Sequence, residues 1–538
     1  MELTKKHVRL IKAYIKIVKA TGMYPGRAAL NKAGYNRDKL RHFFTNLNQL
    51  KKAAMVWAEE NDPKAFDHII DSSIFTKQNH DALKRNVQKY KRFVITTAVV
   101  NCSVDENFLE SIETYCKKND AMLLVLPTAD PASAGEWCLD SELGVESVVV
   151  GDIALNSNLF LCSIRLSAKQ VDPSTGLGRI GQRNGSFVYA SPKQRLKFLP
   201  VSNIKHPHAE MTTGAITLPK YFDIGDTLAS PYFSERTAYI ANHDHVMGAI
   251  IVEIEDKNRY HFRQIQADSS GGFVDLGDYY CGKKISKMYA EAISMGDWHS
   301  GETDPTAIKA VKELIEVVRP KKLLVHDGFN GLSINPHEEF STIRRAMLAN
   351  KGLLSLQSEV VGFAKDLDLM TSWSHIEEVV VVKSNHDIFL ERWLQGGKYV
   401  NDANNYSIGV DLAKAMVDGN DPLKYGVEKY LKNKNKVRWL KMDEDYFIAR
   451  IQCGAHGHKG PKGTRGSLVG MEKAYGQSVT GHAHAPEILR GAWQNGTMTY
   501  LKLSYNQGPS DWVHASTVIY PNGMRQLINS FDGNWRLK

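Results

Sequence analysis

Five short groups of potential metal ligands occur in order in the second half of the chain. They are Gly296-Asp297-Trp298-His299, His326-Asp327-Gly328-Phe329-Asn330, Ser384-Asn385-His386-Asp387, Cys453-Gly454-Ala455-His456-Gly457-His458 and Gly481-His482-Ala483-His484. Carboxylates, imidazoles and amide oxygens together suit borderline divalent ions such as manganese, iron or zinc. An Asp-x-His or His-x-His step in extended backbone points both side chains to one face. Two ions sharing one carboxylate clamp a phosphate for in-line displacement. Each group alone is short enough to arise by chance. All five in order are poorly explained as histidines hydrogen-bonded in a core or at the surface.

Such residues need elements that bring them together. The apolar runs LLV, VVVVK, YFIARIQ and SVT precede the last four groups and read as strands. Ligands placed just after strand ends converge on one sheet edge, where loops hold them. Asp304-Pro305 reads as a helix start, with Asp as N-cap and Pro at the first position. Ile308, Val311, Ile315 and Val318 then line one helical face. After the last group, TMTYLKLSY and STVIYPNGMRQLINS read as antiparallel hairpins closing a second sheet, the latter turning at Pro521-Asn522-Gly523. The loop after His456 sets Lys459, Lys462 and Arg465 among glycines, where backbone N–H groups and cations can approach phosphates. The bland reading of that loop is a surface segment with solvated charges.

Upstream, FVITTAVV reads as a strand, Glu106 to Lys118 as a helix and AMLLVLP as a strand. VESVVVG, LFLCSI and AIIVEIE add further strands, so an α/β layer is expected. His206 and His208 lie in turn-rich sequence without a catalytic template. At the start, residues 1–54 hold thirteen Lys/Arg against Glu2 and Asp38, a net of +11 where the whole chain carries +9. Val8, Ile11, Ile15 and Val18 mark an amphipathic helix, broken at residues 22–25. A short helix near 27–33, a turn at Gly34 and a basic helix at 36–44 complete a helix-turn-helix layout. Arg37, Lys39 and Arg41 would lie on or beside its recognition helix, facing DNA. The alternative is a small helical bundle with a solvated basic surface. The expected division is 1–57, a basic helix-turn-helix-like domain; 58–91, a helical linker; 92–285, an α/β accessory region; and 286–538, the catalytic domain.

A chain of 538 residues calls for more than one core. No apolar run approaches the roughly 18 residues that span a bilayer, and the six cysteines form no CxxC pair. These features point to a cytoplasmic protein with no membrane partner and no disulfide framework.

The order D-x-H, D-x-x-N, N-H-D, H-G-H, G-H-x-H resembles the calcineurin-like metallophosphoesterase superfamily over about residues 285–500. The resemblance implies a four-layer α/β/β/α sandwich and two divalent ions, manganese first, with magnesium, iron or zinc as alternatives. It implies one ion on Asp297, His299 and His484, a second on Asn385, His456 and His482, and Asp327 bridging both. His386 would protonate or stabilise the leaving oxygen, with Asp387 orienting it. His456 and His458 both fit the fourth motif; His456 is preferred, since it comes first after the strand, and His458 joins Lys459, Lys462 and Arg465 as a substrate contact. Two flanking positions depart from the family: His326 and Ser384 stand where glycine is usual. The arrangement also resembles the family's recombination-repair exonucleases and the early host-DNA-degrading DNases of large tailed phages. That likeness implies a homo-oligomeric DNase acting on DNA in the host cytoplasm. The runner-up is a phosphatase or nucleotidase acting on small phosphomonoesters.

Overall fold

The computed structural model describes residues 3–25, 27–67, 69–128, 138–202, 207–221, 235–338, 341–442 and 444–538. The helices expected at the start form: Lys5–Thr21, Arg27–Lys32, Arg37–Phe43 and Leu47–Asn61. Thr4 caps the first through a capping box with His7, and Gly22 ends it in the left-handed conformation. Leu10, Ile11, Tyr14, Val18, Leu30, Leu40, Phe44 and Leu50 make a separate small core. Residues 58–91 are not a simple helical linker. Ile70–Asp71 pairs with Cys138–Leu139, and the helix Lys77–Val87 buries Leu83 and Val87. The reason is the apolar content of this stretch, which the charges around it obscure in sequence.

Two sheets carry the second half. The first has six strands in the order Val437–Trp439, Glu378–Val381, Lys322–Val325, Ala292–Ser294, His514–Ile519, Arg525–Ser530. Its first four strands run parallel, and the last two form an antiparallel hairpin. Side-chain alternation divides it cleanly. Ile293, Leu323, Val325, Val379 and Val381 pack on the helices Pro305–Val318, Leu356–Thr371 and Asn385–Gln395. Ala292, Leu324, Val380 and Ile519 face Val479, Ile488 and Trp493 of the second sheet. The helix Leu468–Tyr475 packs against that second sheet through Leu468, Met471, Leu489 and Ala492.

The second sheet has ten strands, in the order Phe447–Ile448, Ile451–Gln452, Ser478–Thr480, Ala492–Gln494, Glu487–Leu489, Arg195–Leu199, His208–Thr212, Ser186–Tyr189, Leu159–Cys162, Ile153–Ala154. Its hydrogen bonding therefore runs straight across the 285/286 division drawn from sequence, through Glu487 to Leu489 paired with Lys197 to Arg195. The accessory region also supplies a four-stranded sheet, Tyr260–Gln266, Gly248–Ile254, Arg92–Val99 and Ala121–Thr128. Its last two strands are parallel, joined by the helix Glu106–Asn119 as expected.

Three local expectations change. YFIARIQ is not one strand but a tight hairpin, because Ala449 and Arg450 both adopt left-handed backbone between Phe447–Ile448 and Ile451–Gln452. The hairpin turning at Pro521 to Gly523 closes the first sheet, beside Ala292–Ser294, rather than the second. TMTYLKLSY forms turns and isolated bridges instead of a strand. VESVVVG likewise folds as a 3-10 turn with one bridge, Val148 to Val125. None of the six cysteines is in a disulfide. Among the described residues, no helix is long and apolar enough to cross a membrane.

Candidate metal centre

All five groups lie at carboxyl ends of strands in the two sheets, and the sheets' packing brings them together. Asp297 and His299 follow Ala292–Ser294, Asp327 follows Lys322–Val325, and Asn385 and His386 follow Glu378–Val381. His456 follows Ile451–Gln452, and His482 and His484 follow Ser478–Thr480. Adjacent loops continue the strand pairing: Trp298 and His299 N–H donate to His326 and Asp327 carbonyls, and Gly481 N–H donates to the His456 carbonyl. The His482 N–H donates to Asp297 Oδ2 at 2.7 Å, tying the two sheets across the site.

Ligand-type atoms gather in two clusters, Asp297–His299–Asp327–His484 and Asp327–His456–His482, each with its atoms within 4.8 Å. Asp327 belongs to both. Its Oδ2 lies 3.1 Å from His456 Nε2 and 3.7 Å from His299 Nε2. Asp297 Oδ2 lies 3.1 Å from His484 Nε2, and Asn385 Oδ1 lies 3.1 Å from His456 Nε2. Asn385 thus joins the second cluster through its amide oxygen. Asp297, His299, Asp327, His456 and His484 are buried.

The donor set fits divalent cations on three counts. Asp297 Oδ1 and Asp327 Oδ1 are buried without a hydrogen-bond partner, a costly arrangement unless something positive meets them. His299 Nε2 and His484 Nε2 approach to 3.1 Å, two nitrogens of which at most one needs a proton. Electrostatics agree. Burial alone would raise the Asp327 carboxyl, but the surrounding imidazoles, His456 foremost, hold it well below the usual range. Burial opposes charge on His456, yet Asp327 and Asp297 outweigh it and push that imidazole up to about 9. Burial lowers His299 to about 3 and His482 to about 4, which keeps both neutral and able to bind metal. The carboxylates demand positive charge at this point.

The backbone is bent to make the cluster. His299, Asp327, His482 and His484 all have left-handed backbone, with φ of 45°, 43°, 79° and 61°. Each such residue costs on the order of 1 kcal/mol or more, and such strain concentrates at functional sites.

The two positions that depart from the resembled pattern, Ser384 and His326, each have a physical role. Ser384 is the N-cap of the helix Asn385–Gln395 and forms a capping box with Asp387. His326 is fully buried, its Nε2 3.1 Å from Ser294 Oγ and its Nδ1 3.4 Å from His456 Nδ1, so it braces His456. The expected role of Asp387 changes in consequence. Its Oδ2 accepts from Ser384 N–H at 2.9 Å, and burial raises its carboxyl to about 7. His386 Nδ1 instead donates to the Asn330 carbonyl at 2.5 Å. The Asn330 side chain also accepts from His299 Nδ1 at 3.3 Å, so Asn330 orients two histidines by two different atoms. Nothing periodic in the sequence marks Asn330 or His326 for these roles; their position within the second group is the one available signal.

The remaining expected contacts are spread out. His458 lies outside both clusters, its ring 5.5 Å from that of His456, with both ring nitrogens buried and unpartnered. It lines a cleft with Lys383, Glu444, Lys459 and Tyr475. Lys459, Lys462 and Arg465 are exposed on the adjoining loop. Lys39 and Arg41 are exposed on the separate helical core, and Lys39 Nζ folds back onto the Gly34 carbonyl. The side chain of Arg37 and all of His206 lie outside the described residues. His208 is structural, its Nδ1 2.6 Å from the Gly181 carbonyl.

No family model matches the chain, and no solved structure does. It is similar to "Protein A1" of Escherichia phage T5, with 26% identity over 475 residues that cover 84% of this chain and 83% of that protein.

Proposed function

We propose that this protein is a two-metal phosphodiesterase of the calcineurin-like type that degrades DNA, encoded by a bacteriophage. The observation that carries the reading is Asp327, a buried carboxylate shared by two clusters that, with Asn385, draw on five separate stretches of chain. The layered sheets with ligands at strand ends fit that fold type, and the similarity to a phage protein fits that origin.

One ion would sit on Asp297, His299, Asp327 and His484, and the other on Asp327, Asn385, His456 and His482. Such a pair, when bound, neutralises a phosphate and acidifies water. The chain's own residues supply the rest. His386 stands beside the first cluster, its ring 4.6 Å from that of His299. With Nδ1–H donating to the Asn330 carbonyl, Nε2 is the His386 nitrogen left to face the leaving oxygen, and the doubly protonated ring would give it the proton. Lys459, Lys462 and Arg465 offer exposed cations for flanking phosphates, and the basic helices at 5–61 offer a further DNA contact.

The test is digestion of linear and circular duplex DNA with Mn²⁺, Mg²⁺ or chelator, beside Asp297→Ala. Metal-dependent cleavage that Asp297→Ala abolishes is the expected result. Intact DNA with hydrolysis of a nucleotide monoester would replace this reading with a phosphatase.

A further inference from the structure

An aromatic pair flanks the metal centre on the His484 side. Trp512 lies edge-on to the His484 ring, with centroids 4.1 Å apart, and Tyr505 lies edge-on to Trp512 at 5.9 Å. Trp512 is half-buried, whereas Tyr505 is 55% exposed.

The loop that displays Tyr505 is braced from within. Leu503 N–H donates to Asn506 Oδ1 at 2.8 Å, and Asn506 Nδ2 donates to the Leu501 carbonyl at 3.0 Å. Lys502 Nζ donates to the Gly508 carbonyl at 2.5 Å, and Arg344 Nη2 donates to Ser504 Oγ at 2.7 Å. Burial of the Tyr505 phenol, then the charges of Glu302, Asp327 and Asp297, oppose its ionisation. Through Trp512 the ring is linked to the edge of the cluster at His484, on a preformed support.

A phosphate held between the two clusters carries its nucleoside a few ångströms to one side. Every base has a π-face, and stacking on an aromatic side chain is tolerant of sequence. A paired base in a duplex keeps both faces covered by its neighbours and cannot use such a shelf.

Resting on the nuclease reading above, we propose that Tyr505, backed by Trp512, stacks an unpaired nucleobase adjoining the scissile phosphate. The preferred substrate is then single-stranded DNA or a frayed end. Trp512 holds the shelf against His484, and Tyr505 makes the contact with the base.

The experiment uses the full-length protein with Mn²⁺, a labelled single-stranded oligonucleotide as substrate, and a base-free tetrahydrofuran-phosphate strand as competitor. The parent should favour the oligonucleotide over the base-free strand by about tenfold, comparing KM with Ki. Tyr505→Ala should erase that preference, and Tyr505→Phe should keep it. A preference that survives in Tyr505→Ala overturns the shelf, as does Tyr505→Phe losing it as fully as Tyr505→Ala, which would assign the effect to the hydroxyl. If the parent cleaves the oligonucleotide and Tyr505→Ala behaves identically, the shelf alone falls. If the parent hydrolyses a nucleotide monoester and leaves the oligonucleotide intact, the nuclease reading falls and takes the shelf with it.

Discussion

At the scale of single residues, the centre separates groups that hold charge from groups that aim other groups. Asp327 serves both clusters, so Asp327→Asn removes the shared anionic bridge and should drop the bound metal toward zero, along with activity. His386 is in neither cluster. His386→Ala should keep the parent's metal content while turnover falls by about a hundredfold or more, the usual range for a lost general acid. Elemental analysis beside DNA hydrolysis reads both variants, and an active His386→Ala protein would remove it from the proposed chemistry. Asn330 gives a sharper separation. Its side chain fixes His299 but its main-chain carbonyl fixes His386. Asn330→Ala should therefore weaken metal affinity by about tenfold, as loss of an orienting partner does, while leaving the His386 anchor in place. Titration with Mn²⁺ under chelator competition measures it; unchanged affinity would make the Asn330 amide a bystander.

At the scale of elements, the site depends on loops that have no room for extra atoms. A Cβ on Gly481 would lie 2.2 Å from Asp297 Oδ1 and 2.9 Å from His326 Cβ. Gly481→Ala must push a ligand-bearing loop away, so it should cost roughly 1–3 kcal/mol of stability and lose metal as well. Denaturant midpoints with and without Mn²⁺ would show it as a vanished metal-dependent shift; a retained shift would mean the loop adapts. Much of this arrangement was legible beforehand. The apolar runs placed Asp327, Asn385 and His482 just after strand ends, because a parallel strand buried on both faces reads as a short apolar run. The turn at Ala449-Arg450 was illegible, since its left-handed residues are neither glycine nor asparagine. The hairpin ending at Ser530 was recognisable, but its sheet was not: strand neighbours are chosen by tertiary packing, and both sheets offered an apolar edge. Asn330 and His326 act by side-chain contacts between distant segments, which no local pattern encodes.

At the scale of the molecule, the ten-stranded sheet makes residues 153–212 and 447–494 one hydrogen-bonded layer, so the accessory region and the site should unfold together. A second tie is buried charge. Arg263 Nη1 donates to Glu253 Oε2 at 3.2 Å, and its Nε and Nη2 donate to Asp275 at 2.5 and 2.8 Å. Gln526, on the strand Arg525–Ser530, donates to Asp275 Oδ1 at 3.0 Å, and Leu537 N–H donates to Glu253 Oε2 at 3.0 Å. The four-stranded sheet is thereby fastened to the site-bearing sheet. Burial would raise the Glu253 carboxyl, but Arg263 dominates and lowers it to about 2. Because the folded value lies below the unfolded one of about 4.3, the stabilisation is complete above that pH and is lost as pH falls toward 2. The shift corresponds to roughly 3 kcal/mol for this buried group. Glu253→Gln keeps the shape and removes the charge, so its deficit against the parent should be about 3 kcal/mol at pH 7 and shrink by more than half at pH 3. Urea unfolding at the two pH values, followed both by tryptophan fluorescence and by loss of activity, measures it. A deficit equal at both pH values would place its origin in packing, and fluorescence and activity lost at separate urea concentrations would show that the two regions are not one cooperative unit.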